Sequence, residues 1–111
     1  MSKPLSFFKG EIVPISDANV NIMTHALHYG TAVFEGVRGN WNESQSKMFV
    51  FRLKEHYERL LRGCSILLMD IPYDVKALCD ITTNLINECG YQEDLYIRPI
   101  AYKSTEKVAD L

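Results

Sequence analysis

Two apolar stripes at helical spacing follow one another in the second half of the chain, and they limit what it can fold into. Leu53, Tyr57, Leu60, Leu61, Cys64, Leu67 and Leu68 recur at the 3.6-residue period of one helix face. Val75, Leu78, Cys79, Thr82, Leu85, Ile86 and Cys89 do the same, with Asp74 placed to cap the N-terminus and Gly90 to stop the helix. The rest of the chain reads as short strands. Residues 5–15 predict two strands around Lys9-Gly10, a two-residue hairpin signal. Ser16 to Asn19 is turn chemistry, and Thr24 to Tyr29 fits one short helical turn ended by Gly30. Val33 to Trp41 reads as a strand, Lys47 to Arg52 as its hairpin partner across the turn "NESQS", and Leu95 to Tyr102 as the last strand. Strands joined by hairpins, with the helices segregated in sequence, give an α+β fold. The expected form is a two-layer sandwich, a mostly antiparallel sheet with two helices packed on one face.

A chain of 111 residues is the size of one domain. Its net charge of −2, with no long run of either sign, leaves no electrostatic footprint for nucleic acid or an anionic membrane. No apolar run approaches the ~20 residues of a membrane span, and "MSKPLSFFKGEIVP" has no apolar signal core, so a cytoplasmic protein is expected. Cys64, Cys79 and Cys89 match no Cys-x-x-Cys spacing and fall on the two stripes, where small buried hydrophobes are wanted.

Chemistry-bearing residues gather on two strands. Period-2 alternation puts Tyr96, Arg98, Ile100 and Tyr102 on one face, and Leu95, Ile97, Pro99 and Ala101 on the other, apolar face. A phenol beside a guanidinium is a good receptor for a carboxylate, because both donate hydrogen bonds. The competing reading is an ordinary solvent-exposed strand face. On the earlier strand Phe34, Gly36, Arg38 and Asn40 share one face, and Val33, Glu35, Val37, Gly39 and Trp41 the other. Glycine inside a strand marks a bulge, a twist or the close approach of a ligand or another backbone, so Phe34 beside Gly36 is a candidate pocket wall. His25 and His28 stand at i, i+3 with no third metal ligand placed by spacing, which favours structural hydrogen bonding over a metal site. Arg59 follows Glu55 by four residues and is either half of a weak surface ion pair or an anion-binding group.

The segments "HALHYGTAVFEGVRG", "VFRLKEHYERLLRG" and "LYIRPIAY" occur in this order and closely resemble the N-terminal domain of branched-chain amino acid aminotransferases. The resemblance implies a fold-type IV enzyme dependent on pyridoxal 5'-phosphate, acting on branched-chain amino acids, glutamate and their 2-oxo acids. It implies that Arg59 binds the cofactor phosphate, that Phe34, Tyr96 and Arg98 line the substrate pocket, and that Gly36 and Arg38 frame it. It also implies that Tyr29 reaches the neighbouring subunit's site in a homodimer. The family's cofactor-linked lysine lies in a larger C-terminal domain, and none of Lys3, Lys9, Lys47, Lys54, Lys76, Lys103 and Lys107 matches it. The chain is therefore expected to be the small domain, with no catalytic residue of its own and no activity alone. The Tyr-x-Arg pattern of Tyr96 and Arg98 favours branched-chain transaminases over the related D-amino acid transaminases and aminodeoxychorismate lyases, whose small domain is the alternative within the family. A non-catalytic, self-associating module is the reading from another class.

Overall fold

A computed structural model describes residues 2–109. The chain begins with a hairpin, β1 (Leu5–Phe8) and β2 (Glu11–Pro14), whose turn is Lys9-Gly10. Both turn residues have positive φ, 51° and 87°, which matches the right-handed twist of the flanking strands. A 3-10 turn at Ile15–Asp17 leads to a short helix, α1 (His25–Tyr29), which Gly30 ends in the left-handed conformation. The carbonyls of Lys103 and Thr105 accept from the first N–H groups of α1 and tie the late chain to it.

Strands β3 (Ala32–Phe34) and β4 (Val37–Asn42) follow, and β5 (Lys47–Val50) folds back on β4. The turn between β4 and β5 is organised by Asn42, whose Oδ1 accepts from Ser44 and from the Gln45 amide. Two helices come next, α2 (Leu53–Ile66) and α3 (Val75–Cys89). Asp74 caps α3 by accepting from the Ala77 amide at 2.8 Å, and Gly90 closes it with φ 71°. The last strands are β6 (Leu95–Ile97) and β7 (Ile100–Tyr102).

The two expected long strands are each interrupted. Residues 33–41 divide into β3 and β4, and residues 95–102 divide into β6 and β7. β3 pairs with β7, whereas β4 pairs with β6 and β5, so the expected single sheet is three small antiparallel ones. The interruption falls where Glu35-Gly36 faces Arg98-Pro99. Pro99 has no N–H to donate, so the ladder cannot run through it, and its carbonyl accepts from the Glu35 amide at 3.0 Å. Alternation of faces survives the break. Val37 is fully buried and Glu35 nearly so, while Phe34, Gly36, Arg38, Tyr96, Arg98 and Ile100 are exposed.

Helices α2 and α3 cover the inward face, giving the expected α+β arrangement. The core is Tyr57, Leu60 and Cys64, packed against Val33, Ala101, Leu53, Leu78 and Cys79. Tyr57 and Thr82 join the two helices through a buried hydroxyl–hydroxyl hydrogen bond, and Thr82 also donates to the Leu78 carbonyl. Gly63 lets α2 come close to β3: a Cβ there would stand 2.7 Å from Val33 Cγ1. All three cysteines are free thiols, Cys64 and Cys89 buried and Cys79 half-buried. The stripe on α2 is shorter than its spacing predicts. The helix ends at Ile66, and Leu68 turns outward at φ 56°, 88% exposed.

The domain is a slab of 59 × 29 × 19 Å. Its radius of gyration is 15.4 Å, against about 13 Å for a compact chain of this length. Such a thin body leaves one face of its strands without cover. None of its helices is long and apolar enough to cross a membrane among the described residues.

Candidate functional site

Face alternation, kept across the interruption of the ribbon, sets two groups of side chains back to back. On the outward face, the Arg98 guanidinium lies 4.1 Å from the centre of the Phe34 ring and 5.3 Å from that of Tyr96. Its Nη2 donates to the Tyr96 hydroxyl at 2.6 Å. Stacking on aromatic faces holds the planar cation in place and leaves other N–H bonds directed away from the rings. Phe34 is 55% and Tyr96 62% exposed, so the group is presented rather than packed away. Gly36 makes room for it. A Cβ at that position would lie 3.0 Å from Tyr96 Cζ and closer still to the hydroxyl. Gly36 lies between β3 and β4 rather than inside a strand, and among the described residues the group that comes close to it is the Tyr96 side chain, not another backbone. Arg38, paired with Tyr96 across β4 and β6, turns to Asn40 and donates to its Oδ1 at 3.0 Å.

On the inward face, Glu35 points to α2. Its Oε1 accepts from Arg59 Nη2 at 2.7 Å and its Oε2 from Arg59 Nε at 2.8 Å. His56 Nδ1 lies 2.7 Å from the same Oε1. The hydrogen bonds from Arg59 hold the Glu35 carboxyl well below its ordinary value, at about 2, against the opposing effect of burial. Glu35 is thus ionised at neutral pH despite being only 5% exposed. The expected pairing of Arg59 with Glu55 is not made. Glu55 sits 3.9 Å from Arg52, one turn earlier, and Arg59 is committed to a residue 24 positions away. Spacing along one helix could not reveal that partner. A carboxylate on the apolar side of a strand was the available signal, because a buried charge requires a counter-charge.

Tyr29 belongs to neither group. Its hydroxyl accepts from the Ala109 amide at 3.1 Å, and it lines a cavity of ≈ 350 Å³ with His25, Lys103, Thr105 and Lys107. The two histidines organise that region: His25 Nδ1 is 2.8 Å from Thr31 Oγ1, and His28 Nε2 donates to the Ile22 carbonyl at 2.8 Å. Among the described residues no group of three or more His, Cys, Asp or Glu is arranged to hold a metal ion.

Residues 32–109 match the family model of the class IV amino-transferases. The chain is 44% identical over 113 aligned positions to a probable branched-chain-amino-acid aminotransferase of Aquifex aeolicus, covering 98% of this chain and 36% of that protein. It superposes with a TM-score of 0.84 and 40% identity on the branched-chain aminotransferase of Thermoproteus uzoniensis crystallised with norvaline, covering 90% of this chain and 33% of that one. The PLP form of the branched-chain amino acid aminotransferase from Thermobaculum terrenum is similar too, with a TM-score of 0.75 and 36% identity over 83% of this chain and 30% of that one. The chain thus spans about a third of the length of the proteins it matches. Sequence and fold agree over nearly its whole extent, and the chain belongs to the class IV aminotransferases.

Proposed function

We propose that these residues form the small domain of a pyridoxal 5'-phosphate-dependent aminotransferase that moves an amino group between leucine, isoleucine or valine and 2-oxoglutarate. The lysine that binds the cofactor covalently would come from sequence outside these 111 residues, as would the larger domain. The observation that carries the reading is the outward group of Phe34, Tyr96 and Arg98 beside Gly36. It combines an apolar wall with a fixed cation and a phenol. An aliphatic side chain needs the first, and the carboxylate of glutamate or 2-oxoglutarate needs the other two.

Arg59 fits a phosphate. The pair with Glu35 uses one N–H of Nε and one of Nη2, so three of the five guanidinium N–H bonds remain outside it. The side chain is 66% exposed, which leaves that edge open to a ligand. Bound there, the cofactor would supply the electron sink that makes a substrate Cα–H acidic. The chain's own contribution is to hold the phosphate with Arg59, to orient substrate with Arg98 and Tyr96, and to exclude water with Phe34. Arg38 and Gly36 frame the pocket. We further assign Tyr29 to the boundary with a second copy in a cytoplasmic homodimer.

The test is substrate turnover by the protein that carries this domain. Transfer from leucine, isoleucine and valine to 2-oxoglutarate, dependent on added pyridoxal phosphate, is expected. Turnover of D-alanine or aminodeoxychorismate instead would assign the domain to another branch of the family.

A further inference from the structure

We propose that Glu35 is the positioning residue of the phosphate site, holding the Arg59 guanidinium in the one orientation that turns its end-on edge to the ligand. The proposal rests on the reading of Arg59 as the phosphate-binding arginine.

An arginine 66% exposed on a helix surface has four rotatable bonds and little cover to fix them. Here two parallel hydrogen bonds fix it. They engage the Nε and Nη2 edge, at 2.8 and 2.7 Å. That choice of edge matters, since it leaves Nη1 and the second Nη2 N–H side by side, the pair that meets two phosphate oxygens. The carboxylate is itself immobilised. It is 5% exposed, shares Oε1 with His56 Nδ1 at 2.7 Å, and hangs from a backbone whose amide is held by the Pro99 carbonyl.

Glu35 also lies between Phe34 and Gly36, whose outward face carries Arg98 and Tyr96. A single backbone segment at the ribbon's interruption therefore sets the phosphate arginine on one side and the substrate wall on the other. A carboxylate close to a phosphate has a cost, because the two repel. The gain from orienting Arg59 exceeds that repulsion.

The experiment measures dissociation constants of pyridoxal phosphate, and of pyridoxal lacking the phosphate, for the apo form of the full enzyme and its variants. Arg59→Ala is expected to weaken pyridoxal phosphate about tenfold or more and pyridoxal by less than about twofold, as for one lost charge-assisted contact. Glu35→Gln is expected to weaken pyridoxal phosphate about fivefold or more, again sparing pyridoxal, because an amide cannot anchor both N–H groups with the same strength. Added to Arg59→Ala, Glu35→Gln should change the affinity by less than about twofold, since both act through one side chain. If Arg59→Ala spares pyridoxal phosphate, the reading of Arg59 fails and the proposal with it. If Arg59→Ala is selective but Glu35→Gln binds pyridoxal phosphate as tightly as the parent or more tightly, the proposal alone is overturned. Equal losses for both ligands on Glu35→Gln overturn it as well. Should Glu35→Gln not fold, Glu35→Asp is read in the same way: its carboxylate is one methylene short, so a loss confined to the phosphorylated ligand supports positioning, and no selective loss overturns it.

Discussion

Arg98 is sandwiched against Phe34, its guanidinium 4.1 Å from the ring centre, and it donates to the Tyr96 hydroxyl two residues away. These contacts tie an aromatic wall from β3 to a cation beside the end of β6, across the point where the ribbon loses its ladder. Phe34 and Glu35 are neighbours that strand alternation turns to opposite faces, so Phe34 meets Arg98 and Glu35 meets Arg59.

Gly36 should be replaceable without unfolding the domain. A Cβ there collides with the far end of an exposed side chain, not with backbone. Gly36→Ala is therefore expected to change unfolding free energy by less than about 1 kcal/mol. The Tyr96 ring must move, and with it the hydrogen bond from Arg98. Denaturant unfolding checks the first statement, and the Arg98 Nε–H resonance checks the second. A large loss of stability with an unchanged Arg98 environment would contradict both.

Gly63 is the opposite case, because its neighbour is the buried side of β3. Alanine would gain up to about 1 kcal/mol in helix propensity, but overlap with Val33 in a packed layer costs roughly 1–3 kcal/mol. Gly63→Ala is expected to destabilise. In a Val33→Ala background the same change should cost less by at least about 0.5 kcal/mol, the signature of two residues in contact. Additive effects would mean that α2 and β3 do not meet at this point.

Acid stability should follow Glu35. Its carboxyl is held at about 2, below the ordinary 4.5, by the hydrogen bonds from Arg59, with His56 also facing it. A lowered carboxyl stabilises the fold above its unfolded value, and the contribution is lost as pH falls through the folded one. The melting temperature is therefore expected to drop between pH 4.5 and 2 more steeply in the parent than in Glu35→Gln. Parallel profiles would show that Glu35 does not hold this charge in the folded domain.

The three α-helices, the two hairpins β1–β2 and β4–β5, and the two faces of the ribbon were legible in the sequence. Each depends on a local period, on a cap such as Asp74, or on turn residues such as Lys9-Gly10. Face alternation put Phe34, Tyr96 and Arg98 on outward faces, because it is fixed by the backbone even where pairing stops, while their choice as pocket residues came from the family resemblance. The break itself was written only in Pro99, whose missing N–H matters once its partner strand is known. The Arg59–Glu35 pair was invisible to helix spacing, because its two residues come from different elements and meet only after packing. Leu68 was misplaced for a similar reason. Periodicity does not say where a helix stops, and the chain leaves α2 at Leu67, before that residue could join the stripe.

The outward group is the centre of the functional reading, and Arg98→Met in the full enzyme tests it most directly. Methionine keeps much of the apolar bulk against Phe34 and removes the cation. Single-turnover rates would be measured separately for the half-reaction with leucine and for that with 2-oxoglutarate. The expected result is a loss of roughly 1.5–3 kcal/mol more transition-state stabilisation for 2-oxoglutarate than for leucine, the scale of one charged contact. Equal losses with both substrates would contradict it, and would assign Arg98 to the carboxylate that both share or to the shape of the pocket.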